Sequence, residues 1–460
     1  MLPSDPPRAV TDAAEPLRDV GELEEIFHTA EKPADAWRVG GEAEKFGVDA
    51  ASGAPIGYDG ERGVTRIFAS LVHSHGWNPV RETPDGPLIA LSRGEASVTL
   101  EPGAQLELSG APLASVHLIC AELRGHLAEL REISSEMNLV WLGVGFHPLA
   151  TQAELSWVPK HRYAIMREYL PTRGSGALDM MRRTATVQAN YDYSSEEDAM
   201  RKLRVGLALS PLAHAMTANS PFCEGRLAGK KSVRGDVWLR MDPARSGLIP
   251  SLWKRPRARY RDYVEWALDA GMFLFKRGDQ YIANTGQTFR DFMKNGYAGH
   301  RATQGDWRLH LQTLFPEVRL KSTLEVRACD SLPTDLACSV PALFAGVFYD
   351  ERALAAAEEF VADWDYLAVE RDRPGLVTRG LEADFLGRPA REWAEQLIEL
   401  AESGLTRRGR LSGKGNPESI HLERLSHLVE AGRCPADVLV EGLSHDMPEL
   451  RREIIARCHI

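Results

Sequence analysis

Carboxylates recur on one face of two successive strand-like segments, and this pattern limits the fold more than any other feature. Side chains of a β-strand alternate between its two faces, so residues 37–46 (WRVGGEAEKF) place Glu42 and Glu44 on the same side. Residues 97–110 (SVTLEPGAQLELSG) alternate in the same way. One parity of that segment is polar and holds Thr99, Glu101, Gln105 and Glu107. The chain is therefore expected to build a sheet with one apolar face and one acidic face.

Two later segments are expected to continue this sheet. Residues 183–193 alternate apolar side chains with polar ones, among them Asn190. Residues 320–328 set Glu325 and Arg327 on one face, so a cation joins the carboxylates there. Four strands of this kind predict an antiparallel or mixed sheet with a continuous polar surface.

Helices are predicted in the segments between the strands. Apolar residues recur every three to four positions in residues 113–137, which predicts a helix that packs on the apolar face of the sheet. Ser194 and Glu197 form the S-x-x-E pattern of a capping box, which predicts a second helix reaching toward Met216. Pro211 is expected to kink or end that helix.

The order of these elements predicts an α+β fold, because sheet segments and helices precede a final part that is helical. From Pro341 onward the chain is rich in Ala, Leu and Glu with helical periodicity. We predict a flexible tail at residues 1–17, an α+β region at residues 18–340 and a mainly helical region at residues 341–460 packed on the same domain.

Composition limits the partners. Lys and Arg number 55 and Asp and Glu number 65, a net charge of −10, so attraction to nucleic acid is not expected. The longest apolar stretch falls short of the roughly 20 residues of a membrane-spanning helix, and no secretory signal pattern opens the chain. The six cysteines contain no CxxC pair. These features predict a cytoplasmic protein with no membrane partner.

The acidic face points to divalent metal. Oxygen ligands suit hard cations such as Mg²⁺, and carboxylates held close together repel one another unless a cation lies among them. Magnesium and a nearby guanidinium, such as that of Arg327, together can neutralise the charge on a phosphoryl group during its transfer. Two plainer readings stay open: a solvated sheet face, and a salt bridge from Arg327 to Glu325. Residues 224–232 (EGRLAGKKS) fail the spacing of a P-loop, so any nucleotide is bound in another way.

Several longer segments together resemble one family, the plant-type glutamate-cysteine ligases that many bacteria share. They are RVGGEAEKFG, TLEPGAQLELSGAPL, LGVGFHP, PKHRYAIMREYLP, GALDMMRRTATVQANYDYSSE, ANSPFCEG, FPEVRLKSTLEVRACD and VPALFAGVFYD. The resemblance spans roughly residues 37–409. It implies a glutamine-synthetase-like fold, in which a curved antiparallel sheet lines the active site and helices lie outside, and it makes residues 18–340 the catalytic region.

The resemblance also implies roles for individual residues. The implied magnesium ligands, for which Mn²⁺ is an alternative metal, are Glu42, Glu44, Glu101, Glu107 and Glu325. Arg327, beside Glu325, would contact the transferred phosphoryl group. The implied substrate-binding residues are Arg234, Arg162, Asn190 and Gln105. Arginine suits this role because its planar fork grips a carboxylate bidentately. For Arg162, a surface cation is the alternative reading.

The activity implied is a two-step ligation. ATP would phosphorylate the γ-carboxylate of L-glutamate, and the amine of L-cysteine would displace phosphate to give γ-glutamylcysteine, the first step of glutathione biosynthesis. The implied partners are these substrates, in a monomer or homodimer. Two alternatives stay open: a ligase of the same fold that joins glutamate to another amine, and a silent relative that senses glutamate or nucleotide.

Two differences from the family pattern and one pair of cysteines add further expectations. The family commonly has Thr and His where this chain has Gly41 and Ala43, which lie beside the implied ligands. Cys120 and Cys338 match a pair that forms a redox-regulating disulfide in plant relatives, so a thiol switch is hypothesised here. Two unconnected core thiols are the alternative.

Overall fold

A computed structural model describes residues 16–253, 255, 257–278, 280–444 and 446–460. The first fifteen residues of the predicted tail lie outside this range. At its end, the backbone N–H of Leu17 donates to the carbonyl of Ala302 at 2.9 Å, so the last two residues of that segment are docked.

Strands in the first 330 residues build the main sheet and several two-stranded sheets. They are β1 (Val39–Asp49), β2 (Asn78–Arg81), β3 (Leu88–Arg93), β4 (Ala96–Leu100), β5 (Leu106–Ser109), β6 (Leu139–Leu142), β7 (Val187–Tyr191), β8 (Phe222–Cys223), β9 (Arg226–Leu227), β10 (Ser246–Gly247), β11 (Leu274–Arg277), β12 (Gln280–Ala283), β13 (Phe315–Pro316), β14 (Val318–Leu320) and β15 (Leu324–Val326). A short hairpin follows in the last third, formed by β16 (Asp384–Phe385) and β17 (Arg388–Pro389).

Helices cover the sheet and dominate the last third. They are α1 (Glu25–His28), α2 (Val64–His75), α3 (Val116–Ser135), α4 (His161–Tyr169), α5 (Ala177–Arg183), α6 (Glu196–Met216), α7 (Val233–Trp238), α8 (Pro250–Trp253), α9 (Tyr260–Asp269), α10 (Phe289–Asn295), α11 (Gln304–Leu311), α12 (Ser339–Phe348), α13 (Glu351–Phe360), α14 (Tyr366–Arg379), α15 (Ala390–Arg408), α16 (Glu423–Glu430), α17 (Pro435–Val440) and α18 (Met447–Cys458). Within the described residues, no helix is long and apolar enough to cross a membrane.

The main sheet is antiparallel and runs in the order β14-β15-β7-β1-β5-β4-β3-β2. The long strand β1 pairs with β5 and β7 along its first half and with β6 along its second half. The α+β fold with an antiparallel sheet lining the site and helices outside is confirmed. All four predicted strand segments contribute, although residues 101–105 turn between β4 and β5 and residue 183 ends α5.

Two predictions about helix α6 need correction. Its N-cap is Ser195, whose side chain accepts from the N–H of Asp198, rather than Ser194. The helix reaches Met216, as predicted, so Pro211 does not end it. Its last two turns are buried and contribute apolar side chains to the core, and this packing outweighs the lost backbone hydrogen bond.

The apolar face of the sheet and the C-terminal helices share one core. Val187 and Tyr191 of β7 belong to the same buried cluster as Phe344 of α12 and Ile398 of α15. The Tyr191 hydroxyl donates to the carbonyl of Pro341 at 3.0 Å. The polar face is thereby left to line the site on the opposite side.

Candidate active site

The acidic face of the sheet is buried, which excludes the reading as a solvated surface. Exposure is 5% for Glu42, 6% for Glu44, and 0% for both Glu107 and Glu325. Register brings these residues together, because Glu44 lies opposite Glu107 across β1 and β5. Glu325 lies opposite Asn190 across β15 and β7. Burying carboxylates costs several kcal/mol per ion unless a counter-charge is present, as an order of magnitude.

Three of the predicted ligands form a compact group. Glu44, Glu101 and Glu107 each offer a carboxylate oxygen, and these oxygens lie within 4.8 Å of one another. Glu44 accepts from the N–H of Thr186 at 3.0 Å. Burial, together with repulsion from Glu101 and Glu107, raises the pKa of Glu44 well above its ordinary value. Glu44 therefore lacks a positive charge close enough to offset its burial and this repulsion.

Glu107 lies at the centre of the acidic face. One of its oxygens accepts from the Thr99 hydroxyl, and the other is buried with no hydrogen-bond partner among the described residues. Glu42 lies against it, and burial, with repulsion from Glu325 and Glu107, raises the pKa of Glu42 to about 8. An unpartnered buried oxygen among repelling carboxylates fits a divalent cation, which would supply both the missing bond and the missing charge.

Glu325 is placed differently from the other four glutamates. Its carboxylate pairs with Arg319 at 2.7 Å, with Lys321 at 2.5 Å, and with Arg327. Burial alone would raise its pKa, but the three cations hold that pKa well below the ordinary value. Glu325 is not part of the three-carboxylate group, and its oxygens are already paired with protein cations.

Arg327 forms the salt bridge to Glu325 that was the simpler interpretation of its position in the sequence. Arg327 also donates to the side-chain oxygen of Gln188 at 2.7 Å and still lines the neighbouring pocket. Sequence reasoning missed Arg319 and Lys321. Their positions in VRLKSTLEVR carry a signal, because they share one parity of a hairpin that faces Glu325.

A pocket opens beside the three-carboxylate group and joins it to the predicted arginines. Its polar wall includes Glu44, Glu101, Thr186, Arg162, Arg234 and Arg327. Its opposite wall is apolar and includes Met166, Met180, Met181, Trp238, Phe273 and Phe315. Acidic, basic and apolar surfaces therefore converge on one small space.

Arg234 is held rigidly at this pocket. It lies in α7, which begins after the N-cap Ser232. Its guanidinium donates to the carbonyls of Arg327 at 2.8 Å and Ala328 at 2.9 Å. Asp330, fully buried, accepts from Ser232 at 3.0 Å and lies 3.8 Å from the guanidinium.

Arg162 is also a pocket residue and not an isolated surface cation. It lies on α4, next to Tyr163, and interacts electrostatically with Glu101. Lys160, which the sequence did not single out, is buried nearby and donates to the carbonyl of Leu100 at 2.7 Å. Burial, with repulsion from Arg162, lowers the pKa of Lys160 to about 7.

The structure places Gln105 and Asn190 under the site, outside the pocket wall. The Gln105 amide accepts from the N–H of Gly103 at 2.9 Å and donates to the carbonyl of Thr184 at 2.9 Å. Asn190 donates to Glu42 at 2.8 Å and accepts from Thr323 at 3.1 Å. Their polar groups are used to fix the protein, so direct substrate contact has no geometric support here.

Cys120 and Cys338 are joined as a disulfide across 218 residues of chain, with their Cα atoms 5.8 Å apart. They lie at the apolar side of the sheet, where α3 meets the start of α12. The pairing excludes two unconnected thiols in this structure. A regulatory role for the pair stays a prediction.

An antiparallel sheet whose buried acidic face meets converging arginines is the architecture of glutamine-synthetase-like ligases. Residues 38–457 match the model of glutamate-cysteine ligase family 2. A chloroplastic glutamate-cysteine ligase of Medicago truncatula is 39% identical over 441 residues, covering 95% of this chain and 84% of the relative. Glutamate-cysteine ligase B, chloroplastic, of Oryza sativa subsp. japonica is 40% identical over 412 residues, covering 89% and 81%. The chain belongs to glutamate-cysteine ligase family 2.

A solved structure supports the fold. The glutamate-cysteine ligase of Francisella tularensis, in complex with AMP, superposes with a TM-score of 0.54 at 13% identity. The match covers 92% of this chain and 88% of that one.

The expected cytoplasmic location is wrong on the same comparison, because the plant relatives are named as chloroplastic enzymes. That expectation was based on the lack of a secretory pattern and of a membrane-length apolar stretch, and neither feature identifies the compartment.

Proposed function

We propose that this chain uses ATP to join the γ-carboxylate of L-glutamate to the amine of L-cysteine, giving γ-glutamylcysteine. The observation that carries the proposal is the group of Glu44, Glu101 and Glu107, of which Glu44 and Glu101 line one pocket with Arg234 and Arg327. Family membership supplies the reaction class. The geometry supports a site where phosphate and carboxylate charge converge.

Magnesium would be held by the three-carboxylate group, with Glu42 beside Glu107 as a further oxygen donor. When bound there, the metal would neutralise charge on the ATP phosphates. The protein's own part is to hold these carboxylates in place, and a bound cation would favour their ionised form against the burial and repulsion that raise the pKa values of Glu42 and Glu44.

Three arginines of the pocket would bind glutamate and the transferred phosphoryl group. Arg234, fixed by two backbone carbonyls, and Arg162, on the opposite helix, offer guanidinium groups to the carboxylate of glutamate. Arg327 faces the same pocket and would stabilise charge on the transferred phosphoryl group. Glu325 fixes Arg327 in that position, so we assign Glu325 a positioning role more readily than a metal-binding one.

The reaction would proceed in two displacements. A γ-carboxylate oxygen of glutamate attacks the γ-phosphorus of ATP, and ADP leaves. The neutral amine of cysteine then attacks the acyl carbon, phosphate leaves, and the amine loses a proton. Carboxylate alone resists amine attack because oxide is a poor leaving group, whereas phosphate leaves readily.

The apolar wall suits the second substrate and protects the intermediate. Met166, Met180 and Met181 present polarisable sulfur and methylene surface that can pack against a small thiol side chain. The same wall excludes water, which would otherwise hydrolyse the acyl phosphate.

The test is phosphate release from ATP with magnesium and glutamate, comparing cysteine, 2-aminobutyrate and ammonium as acceptors. Wild type should turn over with cysteine, and Glu44→Gln and Arg234→Ala should lose at least about 100-fold in kcat/KM. Exposed positions provide matched controls, since Glu168→Gln and Arg226→Ala should stay near wild type. Absence of amine-dependent turnover would refute the ligase, and preference for ammonium would refute only the cysteine assignment.

A further inference from the structure

A second cluster of metal-ligating side chains lies behind the catalytic sheet, away from the acidic face. Cys120 of α3 is fully buried, and Cys338, which precedes α12, is 7% exposed. His421 follows them from a short 3-10 helix, Glu418–His421. The sulfur atoms and a ring nitrogen of His421 all lie within 4.8 Å of one another.

We propose that, once the disulfide is reduced, Cys120, Cys338 and His421 form a Zn²⁺ site. Thiolate and imidazole are the ligands that zinc prefers, and three protein ligands plus water complete a tetrahedral site. The proposal does not rest on the ligase reaction, since none of these residues lines the pocket.

The distances suit a tetrahedral ion. The Nδ1 of His421 lies 3.5 Å from the Sγ of Cys120. With Zn–S near 2.3 Å and Zn–N near 2.05 Å, tetrahedral ligands lie about 3.5 Å apart. The ring is therefore already at the spacing that a shared metal needs.

A second histidine orients the first. The Nε2 of His421 lies 2.9 Å from the Nδ1 of His117, one turn before Cys120 on α3. With its proton on Nε2, His421 donates to His117 and directs the Nδ1 lone pair toward Cys120. This is the outer hydrogen bond that metal-binding histidines usually have. The Nε2 of His117 is buried with no hydrogen-bond partner among the described residues.

The segment that carries His421 is firmly anchored. Glu418 is fully buried, accepts from the N–H of Val116 at 2.7 Å, and pairs with Arg408 at 2.7 Å. His421 is thus held at the start of α3 independently of the cysteines.

Zinc binding would follow reduction of the disulfide as a separate step. A dithiol reductant gives two electrons and two protons to the disulfide and becomes a disulfide itself, which leaves two thiols on the protein. Zn²⁺ then displaces the two thiol protons and binds two thiolates and one imidazole nitrogen. The resulting site carries no net charge, which favours its burial. Disulfide and zinc would thus be alternative links between α3 and α12.

Cobalt binding to the full chain tests the site, because Co²⁺ on thiolate ligands gives intense charge-transfer absorption and carboxylate-bound Co²⁺ does not. The reduced chain, in excess Mg²⁺, should bind one thiolate-bound Co²⁺ that zinc displaces, and the oxidised chain should bind none. His421→Ala should weaken binding more than His117→Ala does, and His117→Ala should weaken it by about 10- to 100-fold.

Control variants separate this site from the remaining thiols. Cys223→Ser, at a half-buried free cysteine, should keep the absorption, and Cys120→Ser should lose it. Thermal unfolding of each reduced variant checks that it is folded. Absence of the band in the reduced wild type, its persistence in Cys120→Ser, or unchanged affinity in folded His421→Ala would each overturn the proposal.

Discussion

Glu107 is fully buried beside other carboxylates, and one of its oxygens has no hydrogen-bond partner among the described residues, so its carboxyl group costs stability in the metal-free protein. Glu107→Gln replaces the carboxyl group with an amide, which can donate to Glu42 or Glu44. We expect the unfolding free energy without divalent metal to rise by about 1–3 kcal/mol. Urea unfolding followed by circular dichroism measures the change.

The same substitution should remove a metal ligand. Magnesium stabilises the folded state by mass action when it binds only that state, so its stabilising effect should shrink in Glu107→Gln. Glu168→Gln, at an exposed position of α4, should behave as wild type with and without Mg²⁺. Equal stabilisation of Glu107→Gln and wild type by Mg²⁺ would show that Glu107 does not bind the metal.

His126 makes stability depend on pH. It is 2% exposed, and burial lowers its pKa to about 4 from an ordinary value near 6.5. Between those values the unfolded chain binds the additional proton, so stability is present above about 6.5 and lost as pH falls toward 4. One such group contributes a slope of about 1.4 kcal/mol per pH unit.

His126→Leu should reduce that slope. Unfolding free energies measured in urea at several pH values between 4 and 7 should fall less steeply on acidification than in wild type. His73→Leu is the matched control, because His73 is exposed on α2. If both variants kept the wild-type slope, His126 would not be the group that binds the proton.

Residue identity and strand period were enough to predict part of the site. Alternation alone placed Glu42 and Glu44 on one face, and the structure confirms that they share it with Glu107. Alternation could not show that Arg319 and Lys321 neutralise Glu325, because that depends on a hairpin register. Asp330 was not predicted either, because its hydrogen-bond partners lie more than 90 residues away in the chain.

At the scale of elements, the sequence signal was strongest where one face of a strand is buried. β1 and β5 alternate clearly and were predicted, whereas the edge strand β2 and its neighbour β3 were missed. The apolar run of β3 (LIALSR) lacks a clean period of two, and β2 is mostly exposed. Helix α3 was predicted within a few residues because its apolar stripe is regular.

Close packing of α3 on β1 depends on Gly41. A Cβ at Gly41 would lie 2.6 Å from a methyl carbon of Ile119, so the two elements approach more closely than a side chain allows. Gly41→Thr should destabilise this chain by about 1–3 kcal/mol. Chemical unfolding of the single variant measures that cost.

A double-mutant cycle identifies the cause. Ile119→Ala removes the clashing methyl, so Gly41→Thr should cost less in that background, with a coupling energy of about 0.5–3 kcal/mol. Gly125→Ala is the control, because no atom lies within 4 Å of a Cβ there. It should be neutral or stabilise α3 by up to about 1 kcal/mol. Additive costs of Gly41→Thr and Ile119→Ala would contradict the packing explanation.

At the scale of the whole molecule, the predicted division near residue 340 crosses a continuous core. Helix α12 packs on β7 of the sheet and also on α15, where Gly404 lies so close that a Cβ would overlap the carbonyl oxygen of Gly346. Separating the sheet from the C-terminal helices would expose apolar surface of α12 and of the elements that pack on it. We propose that residues 18–340 and 341–460 therefore unfold as one unit.

Two buried free cysteines report the two regions separately. Cys329 follows β15 of the sheet, and Cys434 precedes α17 among the C-terminal helices. Pulsed thiol labelling along a urea gradient, read by mass spectrometry, should give the same midpoint for both. Gly404→Ala, which forces α15 away from α12, should lower both midpoints equally, and Gly413→Ala, at an open exposed position, should lower neither. If Cys434 became reactive at lower urea than Cys329, the C-terminal helices would be an independent unit, because only separate cores can unfold at separate concentrations.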